Sequence, residues 1–170
     1  MSHADVIYHN LLKEVMSNGV KRKDRTGAGT ISLFVPSVSR YDLTEYFPLL
    51  TTKKMYWKGI VIELLWFLRG DTNVKYLVDN GVNIWNDDAY RYYKENGGCL
   101  SKDEYVQKIK TDVDFASKYG NLGSIYGKQW RSWGNGIDQI KQLIDSLKND
   151  PYSRRHIVSA WIYRNVYRMG

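Results

Sequence analysis

FPLLTTKKMYWKGIVIELLWFLRGDTNVKYL, residues 47–77, is the stretch that decides the fold. Its centre, Gly59 to Leu68, is apolar nearly all the way round, which predicts a buried helix that Gly70 ends. One charge lies inside it. Glu63 has Gly59 and Ile60 a turn before it and Trp66 and Phe67 a turn after, so no polar stripe runs past it. An unpaired buried carboxylate costs several kcal/mol or takes up a proton. Two readings stand. Glu63 is either a helix glutamate that reaches solvent or caps a loop, or a carboxylate placed to move protons at a site.

Outward from this helix the chain reads as one domain over residues 1–170. Hydrophobic residues are 43% of it, and 14 Tyr and 6 Trp argue against disorder. Charges interrupt every apolar run short of a membrane span, and MSHADVIYHN has no basic segment followed by an apolar one. The single cysteine, Cys99, excludes an internal disulfide, and the expected location is the cytoplasm. His3, His9 and His156 are too dispersed for a metal site, so no metal is expected. The formal charge of +7 attracts anions, but the basic residues form only short clusters, suited to small phosphorylated ligands.

Towards the N-terminus, Ile7, Leu11 and Val15 predict an amphipathic helix over Ala4–Asn18. Asp24 to Thr30 is a loop with two glycines and one strong anion ligand, Arg25. Strands are expected at Ile31–Val35 and Val38–Leu43. Towards the C-terminus, Val74, Leu77 and Val78 mark a short helix, with Asp71 or Thr72 as its cap. Residues 87–120 turn polar and tyrosine-rich and read as a surface insertion. There, Ser101 to Glu104 forms a capping box, and Tyr105, Ile109, Val113 and Ala116 continue one helical face. LGSIYGKQWRSW (122–133) is dense in aromatics with polar tips, Gly136 to Lys148 reads as another amphipathic helix with Ile137, Ile140, Ile144 and Leu147 on one face, and His156–Trp161 reads as a strand.

DRTGAGT, FPLLTTKKMYWKGIVIELLWFLRGDTN, NIW, YGKQWRSW, DQI and DPYSRRHIVSAW together, in this order, resemble thymidylate synthase. The resemblance covers nearly all of the chain except the insertion, where that family varies in length. It implies an α/β fold of the α+β type, a mixed β-sheet with flanking helices, incomplete here towards the C-terminus. It also implies reductive methylation of dUMP to dTMP with 5,10-methylenetetrahydrofolate as carbon donor and reductant, in a homodimer whose sites draw on both subunits.

Carried over by position, Glu63 matches the family glutamate that organises proton transfer, and Tyr126 a tyrosine close to the nucleophile. Arg25 matches the loop arginine on the substrate phosphate. Arg154 and Arg155 match the pair that reaches the phosphate in the partner's site. Ile84 and Trp85 match the lining of the folate pocket, and Lys53 a basic residue near the folate tail. A phosphate dianion suits several guanidinium donors, and acid–base work near neutral pH suits a carboxylate with a raised pKa.

The chain departs from the family pattern in three places. The family's Pro-Cys-His segment does not occur among the 170 residues. Ile162 stands where the family commonly has Asn, and Asn86-Asp87-Asp88 where it usually carries a further tryptophan. Cys99 lies in the insertion without the flanking motif. These residues alone are therefore expected to be inactive, while the full-length parent is expected to be a synthase. Alternatives are a pyrimidine-nucleotide hydroxymethylase, which the retention of Trp85 disfavours, and a non-catalytic remnant binding nucleotide or RNA.

Overall fold

The computed structural model describes residues 2–24, 27–34 and 37–161. Helices with one small two-stranded sheet make up these residues, consistent with part of an α/β thymidylate synthase-like fold. The chain forms two compact units, residues 1–56 and 57–170.

The first unit begins with α1, His3–Asn18. Ser2 caps it: its hydroxyl accepts from Asp5 N while the Asp5 carboxylate accepts from Ser2 N. Asp5 is buried and also accepts from both Thr51 N (2.7 Å) and Thr51 Oγ1 (2.5 Å), so one carboxylate ties the helix start to a segment 46 residues away. β1 (Val20–Arg22) and β2 (Thr30–Ser32) pair antiparallel, Lys21 opposite Ile31. Their connecting loop folds back on Asp24, whose Oδ1 accepts from Gly29 N at 3.2 Å. Gly27 and Gly29 both take φ of 79°, which a side chain disfavours. The strand expected at Val38–Leu43 is absent: residues 37–43 carry no ladder, since strand-forming residues without a partner edge have nothing to pair with. Val35 lies outside the described residues.

The hydrogen bonds from Thr51 and Ser2 hold the Asp5 carboxyl far below the usual carboxylate range. A depressed folded-state pKa contributes stability above the unfolded value, near pH 4, and that contribution is lost as pH falls further. Thermal unfolding of Asp5→Asn is expected at a lower temperature than wild type at pH 7, with the gap narrowing below pH 4. Parallel melting curves at pH 7 and pH 3 check this.

The second unit is organised around α2, Trp57–Leu68, followed by α3, Lys75–Asp79. α3 lacks the side-chain cap expected from Asp71 or Thr72; instead Asp71 accepts from Asn73 N, and Asn73 Oδ1 from Lys75 N. Residues 86–119 form α4 (Asn86–Glu95), α5 (Lys102–Thr111) and α6 (Val113–Tyr119). The Ser101–Glu104 capping box opens α5 as the sequence predicts. The helical face does not continue through Val113, because extended Asp112 breaks the helix and caps α6 from Phe115 N, leaving Val113 exposed. Tyr93, Tyr105, Ile109 and Ala116 bury against Val74, just before α3, and Val78 of α3, so the polar segment carries a core that it shares with the rest of the unit. Tyr105 is fully buried, its hydroxyl donating to Tyr119 O at 2.9 Å, and burial pushes its pKa up to about 12.

α7 (Tyr126–Arg131) and α8 (Gln139–Asn149) complete the unit. Asp138 caps α8 by accepting from Lys141 N, so Ile137 lies before the helix rather than in it. The strand expected at His156–Trp161 does not form, since these residues carry no ladder. The Gln139 side chain substitutes for a neighbouring strand there: its Oε1 accepts from Ser159 N (2.8 Å) and its Nε2 donates to Ser159 O (2.7 Å). The all-round apolar character of α2 does not translate into full burial. Only Gly59 and Trp66 are buried, while Ile60, Leu64 and Leu65 are 40–46% exposed, because no described element covers that face. No described helix is long and apolar enough to cross a membrane.

Candidate active site

Glu63 is half-buried on α2, and its carboxylate is not left unpaired. Trp85 Nε1–H donates to Glu63 Oε1 at 2.6 Å, across 22 residues of sequence. A charge-assisted bond of this length holds both groups in one orientation. Trp85 is in turn fixed by packing. Its ring meets Trp66 at 5.9 Å, Phe67 at 6.2 Å edge-on and Tyr126 at 6.2 Å edge-on. Trp66 is completely buried, and its indole N–H donates to Asn73 O, which pins the base of the wall.

Phe67 is the hub, since it also meets Tyr126 at 5.4 Å and Trp130 at 5.7 Å, both edge-on. α7 reaches this position through Gly127. A Cβ there would lie 2.9 Å from Asp71 O and 3.2 Å from Phe67 Cα, so only glycine allows so close an approach. Tyr126 is therefore held against the wall by its ring, while 49% exposure leaves the residue open to solvent. Glu63, Trp85 and Tyr126, each matched above to a family position, share one aromatic wall. A carboxylate and a phenol beside flat apolar rings can hold and pass a proton next to a planar ligand.

The remaining sequence candidates lie elsewhere. Ile84, next to Trp85 in sequence, is exposed. Arg154 and Arg155 are exposed on the turn after α8, where Arg155 N donates to Ser153 Oγ, and among the described residues no ion pair engages either guanidinium. Lys53 is exposed in the first unit. Arg25 lies outside the described residues, although the Asp24–Gly29 bond beside it is described.

Two supporting residues escaped the sequence reading. Arg131 donates to both Asp138 oxygens (3.0 and 2.8 Å) and to Leu68 O at the end of α2 (2.6 Å). Gln139 Nε2 also donates to Gln129 O, tying α8 to α7. Both residues stand inside the quoted motifs YGKQWRSW and DQI, but a motif names no partner.

The fold and this wall define an α/β protein with a carboxylate held against aromatic rings. Its family follows from comparison with known proteins: the thymidylate synthase family model matches residues 6–170, and the chain belongs to that family. Thymidylate synthase of Mycoplasma mobile is 53% identical over 167 residues, covering 96% of this chain and 57% of the relative. That of Mycoplasma genitalium is 52% identical, with the same coverage of each chain. The Mesoplasma florum enzyme is 52% identical over 91% of this chain and 54% of its own. The chain thus spans a little over half the length of these relatives.

Proposed function

We propose that this chain is the part of a thymidylate synthase that carries the proton-handling wall, the phosphate arginines and one side of the folate pocket. Residues 1–170 would belong to one synthase domain with residues 87–120 as its insertion, acting in the cytoplasm as a homodimer. The reaction is transfer of a one-carbon unit from 5,10-methylenetetrahydrofolate to C5 of dUMP, then hydride transfer from the folate, giving dTMP. The observation that carries the reading is the Trp85–Glu63 hydrogen bond within the aromatic wall. It supports a carboxylate oriented towards a planar ligand.

In this reading Glu63 exchanges protons at the pyrimidine through bound water, and Tyr126 supplies a phenol beside the reacting carbons. Ile84 and Trp85 pack against the folate. Arg25, with Arg154 and Arg155 of the other subunit, holds the dUMP phosphate, and Lys53 meets the folate carboxylates. The solvent-facing guanidiniums of Arg154 and Arg155, which no ion pair engages among the described residues, suit this role, because no such pair has to break before the phosphate binds.

The test uses the whole protein that contains these residues. Glu63→Gln is expected to lower kcat about 100- to 1,000-fold, with dUMP affinity within about twofold of wild type. Trp85→Phe, which keeps a ring and removes the donor, is expected to lower kcat about tenfold through a misoriented carboxylate. Steady-state rates with mass analysis of the product check both. A Glu63→Gln enzyme with wild-type kcat, or a hydroxymethyl rather than methyl product from wild type, would refute the reading.

A further inference from the structure

The insertion and the aromatic wall meet at Asn73, in the turn between α2 and α3. Both ends of its amide are engaged: Oδ1 accepts from Lys75 N at 2.9 Å, and Nδ2 donates to Ala116 O of α6 at 2.7 Å. Only this orientation of the amide makes both bonds, since a flipped one would set donor against donor and acceptor against acceptor. The Asn73 carbonyl in turn accepts from the Trp66 indole N–H at 3.0 Å. One residue thus ties the end of the insertion to the buried ring beneath the wall.

The backbone on either side of Asn73 is tied to the same place. Val74 N donates to Gly120 O at 2.9 Å and Leu122 N to Thr72 O at 3.0 Å, around an antiparallel bridge of Asn73 with Asn121. Gly120 leaves no room for a side chain: a Cβ there would overlap Asn73 Oδ1 and lie 2.7 Å from Ala116 O. The amide is therefore held from two sides, by the start of α3 and by the turn that ends α6.

From Asn73 the contacts lead to Glu63. Trp66, completely buried, meets Trp85 at 5.9 Å, and Trp85 donates to Glu63. Trp85 packs against two buried clusters, one containing Trp66 and Leu77, the other containing Tyr93, Tyr105 and Ile109 of the insertion. A ring held between two cores keeps the direction of its N–H only while the cores keep their relation. Close-packed interiors pass a displacement at one contact on to the next.

We propose that Asn73 is a positioning residue for Glu63, through which the insertion acts on the site: its bond to Ala116 O fixes Trp66, and so the direction in which Trp85 holds the carboxylate. The inference rests on the reading of Glu63 as the proton-handling group, and it gives residues 87–120 a part in that group's geometry.

The test follows the Trp66 and Trp85 indole protons by NMR hydrogen exchange in the whole protein that contains these residues, with the resonances assigned through Trp66→Phe and Trp85→Phe. Asn73→Ala is expected to exchange both indole protons about tenfold faster. It is also expected to lower kcat about fivefold, with KM for dUMP within about twofold of wild type. Asn73→Asp keeps the acceptor for Lys75 N and loses only the donor to Ala116 O, so it serves where the alanine variant does not fold, with the same directions expected. Tyr105→Phe removes the hydroxyl bond to Tyr119 O inside the insertion and leaves Asn73 untouched. It is expected to keep wild-type exchange at both indoles and wild-type kcat. Wild-type exchange at Trp85 in a folded Asn73 variant overturns the inference, as does equal acceleration in Tyr105→Phe. Wild-type kcat in Asn73→Ala also overturns it when Glu63→Gln lowers kcat. If Glu63→Gln keeps wild-type kcat, the synthase reading fails instead, and the exchange result alone decides whether Asn73 orients the carboxylate.

Discussion

Assayed on their own, these 170 residues release no tritium from 5-tritiated dUMP above a no-enzyme control. The expectation follows from the covalent step. C5 of uracil becomes nucleophilic only after a thiolate adds to C6, so without a placed thiol the reaction has no beginning. The chain holds one thiol, on Cys99. It is exposed in the loop between α4 and α5, with its backbone N–H donating to Tyr93 Oη and its Sγ 3.6 Å from Gly97 O. Tyr93 shares a core with Tyr105, whereas Trp85 and Tyr126 meet Phe67 and Glu63 accepts from Trp85. Among the described residues no basic side chain is bonded to Cys99 Sγ. Glu63 can hold a proton, but there is no adduct from which to take one. Turnover above the control would overturn the expectation, and its loss in Cys99→Ser would identify Cys99 as an unforeseen nucleophile.

Local signals were the legible part of this fold. The apolar run closed by Gly70 marks α2 to within two residues at its start, and the Ser101–Glu104 capping box marks the first turn of α5. Both depend on neighbours three or four residues apart, which a sequence displays directly. Val38–Leu43 and His156–Trp161 have strand-like composition, but a strand also needs a partner edge. Among the described residues neither has one. Burial failed for a similar reason: an apolar helix face predicts a cover without supplying it, and Ile60, Leu64 and Leu65 stay exposed.

The candidate site divides in the same way. Glu63 was conspicuous as a charge in an apolar helix. Trp85 was matched as pocket lining, but its role as the donor to Glu63 depends on how the segment after α3 returns over α2, which no spacing encodes. Tyr126 joins the wall through Gly127, whose sequence neighbours gave no sign of the close approach to Phe67. The contacts that make a site from these residues are long-range and aromatic. A motif preserves their identities and omits their geometry.

Arg131→Met is expected to unfold about 5–10 °C below wild type. One guanidinium joins three helices: it belongs to α7, meets the last carbonyl of α2 at Leu68, and grips both oxygens of Asp138, the cap of α8. Its position at the C-terminal end of α2 also suits the helix dipole. Methionine retains much of the aliphatic stem and removes three hydrogen bonds, leaving Leu68 O and Asp138 without their guanidinium. Charged hydrogen bonds contribute about 1.5–3 kcal/mol each when buried. The Arg131 and Asp138 side chains are 39% and 28% exposed, so solvent screening reduces the total to about 2–3 kcal/mol. For a chain of this size that gives the stated shift. The Arg131 hydrogen bonds hold the Asp138 carboxyl below the usual range, so this stabilisation is present above the unfolded pKa, near pH 4, and lost as pH falls through the folded value. Arg131→Met should therefore lose less stability than wild type between pH 7 and pH 3. Arg131→Lys, which keeps the charge without the fork, should fall between them. Calorimetric melting of the three proteins at both pH values decides the matter. If Arg131→Met melts with wild type, α7 is held by its aromatic contacts alone, and the clamp has no part in bringing Tyr126 to the wall that holds Glu63 and Trp85.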